Sequence, residues 1–164
     1  MASMVDKLVT GFEAYYGYSP GDNKVSRRTE ELSSKEVDEL VSRGASSGLI
    51  PFYHSVADVS LPAVGNAWFI DSADEVIRSA QSGLLPSKVA GALSGRIVVF
   101  GTDGGGGLLT VVAGDERVYR LNGCFDIDSF DVDDSDVQVV SKDFGSFVEM
   151  LEVCLADTIA PIGS

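Results

Sequence analysis

Ile97-Val-Val-Phe-Gly-Thr-Asp-Gly-Gly-Gly-Gly-Leu-Leu-Thr-Val-Val-Ala-Gly-Asp-Glu-Arg-Val-Tyr-Arg-Leu121 is the stretch that decides the fold. Ile97–Phe100 is β-branched and aromatic and reads as a strand. Leu108–Ala113 is a second run, apolar at both alternating sets of positions, as in a strand buried on both faces of a sheet. Gly114-Asp115 is a two-residue hairpin signal, with glycine in the first position that a type II′ turn requires. Arg117–Leu121 reads as the returning strand. Strand, glycine loop, strand, tight turn and strand predict a mostly antiparallel central sheet.

The glycine loop invites comparison with phosphate-binding loops. Gly101 and Gly106 have P-loop spacing, but Lys and Ser/Thr should follow and the residues present are Gly107 and Leu108. The G-x-G-x-x-G pattern fails because Leu109 stands where its last glycine belongs. No helical pattern follows whose N-terminus could face an anion, and Asp103 would repel one. The residues Gly101, Gly104, Gly105, Gly106 and Gly107 are therefore read as structural, allowing positive φ and close backbone approach. That reading expects a β-branched residue at Gly104 or Gly105 to destabilise the fold through its φ preference.

Outward from this centre, Val5, Leu8, Val9, Phe12 and Tyr15–Tyr16 form a helical stripe over Met4–Tyr16, and Ser19–Arg28 is turn-rich and reads as a loop. Ser33 with Glu36 and Ser72 with Glu75 are capping boxes that start two helices, the second ending near Ser82. Gly44 and Gly83 are placed to stop them. Pro51 makes Leu49–Phe52 an edge strand or an irregular segment. Val56–Val64 reads as a crossing loop, Ala67–Ile70 as a short strand, and Leu84–Gly95 as a mixed connection. Cys124–Ser135 reads as an acidic loop and Val137–Val140 as a last strand. Phe144, Phe147, Val148, Leu151 and Leu155 line a closing helix over about Lys142–Thr158. The expectation is one α+β domain: an N-terminal helix and loop over 1–31, the domain proper over 32–158, and a tail over 159–164.

With 12 Lys and Arg against 25 Asp and Glu, the chain carries a net charge of −13. Bulk charge thus argues against binding nucleic acid or an anionic membrane and favours a basic partner. The longest apolar runs fall short of the about 18 residues a membrane helix needs. No signal-peptide pattern is present, so a cytoplasmic location is expected. Cys124 and Cys154 have no metal-type spacing.

Chemistry-bearing residues are sparse. His54 is the single histidine, no G-x-S-x-G elbow accompanies it, and zinc would need more His or Cys in one place. Neither catalysis, a cofactor nor a metal is expected. The sharpest feature is Asp126, Asp128, Asp131, Asp133, Asp134 and Asp136, six aspartates in a span with no Lys or Arg between Arg120 and Lys142. Counted from Asp126, an EF-hand would need Gly and Glu where Asp131 and Val137 stand. The cluster reads as a surface for a basic partner, with Tyr53, Trp68 and Tyr119 as candidate aromatic anchors.

Three segments carry a family resemblance. Phe100-Gly101-Thr102-Asp103-Gly104-Gly105-Gly106 with its apolar strand and Arg117–Leu121, then Val59–Ile70, then Asp143–Leu151, together resemble the SMI1/KNR4 family of the SUKH superfamily. The resemblance covers about residues 32–155. Two positions depart from it: Ala67 stands where the family usually has Gly, and Trp68 where it usually has Tyr. The resemblance implies a cytoplasmic bacterial immunity protein, without catalysis, that neutralises a cognate polymorphic toxin. Many such toxins act on nucleic acid through basic sites, which an acidic inhibitor can plug by mimicking a phosphate backbone. The family also implies an alternative, a regulatory or scaffolding module that binds several partners.

Overall fold

A computed structural model describes residues 1–123 and 130–162. The central hairpin is as expected. β5 (Gly95–Asp103) and β6 (Leu108–Val112) are antiparallel, and β7 (Val118–Leu121) follows on the far side of β6. All five β6 residues are buried. Both faces of these strands are covered, each by different material. Val98, Phe100, Leu109, Val111 and Val118 face the main core beneath the helices. Ile97, Val99, Leu108, Val112, Tyr119 and Leu121 face a second, smaller core. That second core is closed by Val89 on β4 (Lys88–Gly91) and by Phe130 and Val132 on β8 (Phe130–Val132), which pairs parallel to β4. Every other strand pairing is antiparallel.

The main sheet runs in the order β1, β2, β3, β5, β6, β7, β9. β1 (Lys24–Arg27), β2 (Val56–Leu61), β4 and β8 occupy stretches that read as loops or connections. In β2, Val59 and Leu61 point into the core and Pro62 removes the next backbone donor, which ends the strand. β3 (Trp68–Ile70) and β9 (Val137–Ser141) lie where strands were expected. The hairpin before β7 is longer than a two-residue turn. Asp115 N–H bonds the Val112 carbonyl and Gly114 has φ 82°, so glycine takes the second central position, not the first. The Asp115 carboxylate then accepts from the Arg117 amide at 3.0 Å and the Tyr119 hydroxyl at 2.7 Å.

Helices α2 (Ser34–Arg43) and α4 (Ala73–Ser82) start where the capping signals place them. Ser33 and Glu36 cap reciprocally. Ser72 accepts from the Glu75 amide at 3.2 Å, while the Glu75 carboxylate accepts from Ser79 at 3.0 Å instead. Leu49–Ser55 is a helix, α3, not an edge strand. Pro51 is its third residue, where an N–H has no intrahelical partner to lose, so proline is tolerated. α1 (Ala2–Tyr16) buries Val5, Leu8 and Phe12 in the main core, and β1 completes the sheet beside β2. Residues 1–31 thus share one core with the rest. So do two residues of the expected tail: Ile159, the last residue of the closing helix α5 (Phe144–Ile159), and Ile162 beyond it, both packed against the main core.

Ala67, just before β3, is the one described non-glycine residue with positive φ, at 64°. An L-residue there carries roughly 1–2 kcal/mol of steric cost, against a smaller entropic cost for glycine. Ala67→Gly is therefore expected to stabilise the protein by about 0.5–1 kcal/mol. Urea unfolding would show this as a higher midpoint with an unchanged slope. A lower midpoint would mean that the alanine methyl contributes packing worth more than its strain.

Candidate partner-binding surface

The acidic segment divides into residues with different tasks. Phe130 and Val132 point into the second core, and the alternation of a strand turns Asp131 outward between them. Asp133 and Asp134 follow as exposed residues on a single 3-10 turn, Asp134–Asp136. Asp136 is half-buried, and its carboxylate accepts a long bond from the Asp133 amide at 3.4 Å, which helps close the turn. The Asp136 carbonyl accepts from the Asn122 amide at 2.9 Å, tying the turn to the end of β7. Asp126 and Asp128 lie outside the described residues. Among the described residues, none of Asp131, Asp133, Asp134 and Asp136 belongs to an ion pair. Three carboxylates therefore leave one rigidly anchored turn with no internal cation to neutralise them. No three His, Cys, Asp or Glu side chains converge as a metal site among the described residues.

The aromatic anchors expected from the sequence sit elsewhere. Tyr53 is fully buried, with its hydroxyl donating to the Asp71 carbonyl at 2.9 Å. Burial and the nearby Asp71 charge push its pKa far up. Its helical position on α3 turns it inward, where an edge strand would have left its direction open. Trp68 is half-buried, edge-on to Phe147 with ring centroids 6.0 Å apart. Its indole N–H is shielded from solvent and has no hydrogen-bond partner among the described residues. Tyr119 is buried, with its pKa raised to about 12 by burial and by its bond to Asp115. None of the three presents its polar tip to a partner.

Among the described residues, the exposed aromatics are Tyr15, Tyr16 and Tyr18, at the end of α1 and just beyond it. Tyr16 and Tyr18 pack against the buried Phe12, with ring centroids at 4.4 Å and 5.3 Å, and Tyr15 packs edge-on to Tyr16 at 4.7 Å. No Lys or Arg occurs from residue 8 to residue 23, whereas Glu13 and Asp22 do. Clustered, exposed tyrosines are a typical composition for a contact surface. The helical stripe in the sequence places Tyr15 and Tyr16 on the inward face, but both are exposed, because Phe12 is the last buried residue of α1 and the helix runs on past the core. His54 is exposed on the last turn of α3.

The glycine loop is closed on itself. The Asp103 side chain is fully buried. Its Oδ1 accepts from the Gly105 amide at 2.9 Å and the Gly107 amide at 2.8 Å, and its Oδ2 from Arg120 Nε. Gly104 N–H bonds the Asn66 carbonyl, and Gly106 N–H the Asp103 carbonyl. The four amides that a phosphate would need are thus all taken, two of them by a carboxylate. Conformation matters at Gly106, with φ 83°, and not at Gly104 or Gly105. Gly104 is required for a different reason: a Cβ there would overlap the Asn66 carbonyl oxygen.

Comparison with protein-family models and with curated proteins finds no match to this chain. No described helix is long and apolar enough to cross a membrane.

Proposed function

We propose that this protein is a non-catalytic, immunity-type inhibitor that binds a basic toxin domain in the cytoplasm. The observation that carries the reading is the strand end and turn that present Asp131, Asp133 and Asp134. This segment is exposed, anchored at both ends and unneutralised, in a chain of net charge −13. Such a turn attracts a cationic surface at long range and penalises acidic competitors. The resemblance to the SMI1/KNR4 family supports the same reading. Ala67 adds to that support, because the position where the family usually carries glycine is the one where this backbone adopts a positive φ. The tyrosine cluster of α1 supplies a second surface of the right composition for short-range contact, including cation–π contact with Arg.

The test is the rate of association with the toxin domain encoded beside this gene. Changing Asp131, Asp133 and Asp134 together to Asn removes three charges at nearly constant size. Association at low salt is expected to slow about tenfold, with dissociation much less affected. The parent's rate should approach the variant's as salt rises, since the screening length is about 10 Å at 0.1 M. A variant that folds, associates as fast as the parent and protects cells equally would remove the turn from the interface. Absence of any complex with the neighbouring toxin would overturn the immunity reading itself.

A further inference from the structure

A second charged feature has the opposite sign. Lys88 on β4 and Arg96 on β5 are register partners, directly opposite each other in an antiparallel pair. Like charges in that position destabilise a sheet. Neither has a carboxylate partner among the described residues, although the chain carries 25 acidic residues. Both line a pocket of about 280 Å³ together with Arg43, Ser42 and Ser87. Arg43 is the last residue of α2 and is held by Glu39, its Nε at 3.0 Å. Arg96 Nη1 donates to the Ser42 carbonyl at 2.7 Å, covering part of the negative carbonyl end of that helix. Three of the chain's 12 cations thus meet in one concavity of an otherwise acidic molecule.

The geometry points to a binding site for a small phosphate monoester in this pocket. Among the described residues, three cations offset by the Glu39 carboxylate leave a local excess that matches a dianion. The guanidinium N–H groups that Glu39 and the Ser42 carbonyl leave free, together with an ammonium, can donate to several phosphate oxygens at once. The pocket's size admits a phosphate with a modest attached group. A polyanion is disfavoured, because its flanking phosphates would meet a surface of net charge −13. The opposed Lys88 and Arg96 are then a folding cost that the ligand relieves, as happens where a site is built at the expense of stability.

Thermal unfolding with inorganic phosphate tests this. Phosphate is added at about 10 mM or less, below the range of general salting effects, against sodium chloride of matched ionic strength. At a pH of about 7.5 phosphate is mostly dianionic. The parent is expected to show a saturable rise in melting temperature beyond that given by chloride. Lys88→Gln, which breaks no hydrogen bond among the described residues, should melt higher than the parent without phosphate, whereas Arg96→Gln also loses its bond to the Ser42 carbonyl; each should weaken phosphate binding at least tenfold. Lys142→Gln, which removes an exposed cation elsewhere, should keep the phosphate response. Amide shifts of the unmodified protein on phosphate titration should centre on Arg43, Lys88 and Arg96, a readout that does not depend on the variants folding. Equal responses to phosphate and chloride, or a phosphate response retained in the Lys88→Gln/Arg96→Gln double variant, would overturn the site.

Discussion

Asp103→Ala is expected to destabilise the protein by about 3 kcal/mol, the lower end of the cost of breaking a buried ion pair because Arg120 keeps some solvent contact. For a chain of this length that lowers the melting temperature by roughly 6–12 °C. The Asp103 carboxylate is the shared acceptor for two loop amides and the Arg120 guanidinium, so its loss leaves buried donors unpaired across β5, the loop and β7. Asp103→Asn should fall between the two, because an amide oxygen can still accept from Gly105 and Gly107. The effect also depends on pH. Burial alone would raise the Asp103 pKa, but Arg120 and the Gly107 and Gly105 amides outweigh it and hold the group below its ordinary value. A carboxylate depressed by folding stabilises the native state fully above its unfolded pKa of about 3.9, and that contribution is lost as pH falls through the folded value. The gap between parent and Asp103→Ala should therefore close in acid. A gap that stays constant down to the acid limit would mean that the charge of Asp103 plays no part.

Gly101→Ala is the second change with a large expected cost, about 3 kcal/mol, at the upper end of typical overpacking. Gly101 pairs with Ile70 on β3 and Leu109 on β6. A Cβ there would overlap the Phe69 carbonyl oxygen and lie 3.1 Å from Ile70 Cα, and neither backbone atom can move without disrupting the β3–β5 pairing. Gly106→Ala is the informative control. Gly106 has positive φ but open space around it, so it should lose only about 1 kcal/mol, the left-handed penalty less the entropy gained. Chemical denaturation of both variants separates space from conformation. If Gly106→Ala costs more than Gly101→Ala, the loop is held by its dihedral angles and not by how closely its neighbours approach.

These two glycines show where the sequence was legible and where it was not. The glycine run, its aspartate and the apolar strands on either side were enough to place β5, β6 and β7 and to argue against phosphate binding. Which glycine answers to φ and which to a neighbouring carbonyl depends on Asn66 and Phe69, residues brought alongside by β3. The candidate surface divides in the same way. The net charge and the outward aspartates could be read directly, whereas the exposed tyrosines and the inward Tyr53 could not.

The amino-acid sequence by itself determined the elements whose causes are local. Ser33 with Glu36 and Ser72 with Glu75 start α2 and α4 because cap and amide lie three residues apart. β6 is central because its residues are apolar on both sides, and α5 follows from its stripe of Phe144, Phe147, Leu151 and Leu155. Only the tertiary structure decided β1, β2, β4 and β8. Strands of three to six residues have little pattern of their own and exist through partners far along the chain, as Lys24 pairs with Ser60 and Val89 with Phe130. The same long-range pairing turned Phe130 and Val132 into the cover of the second core. It thereby left Asp131 and Asp133 facing solvent, because a strand that buries every other residue must expose those between, while Asp134 is exposed by the 3-10 turn that follows.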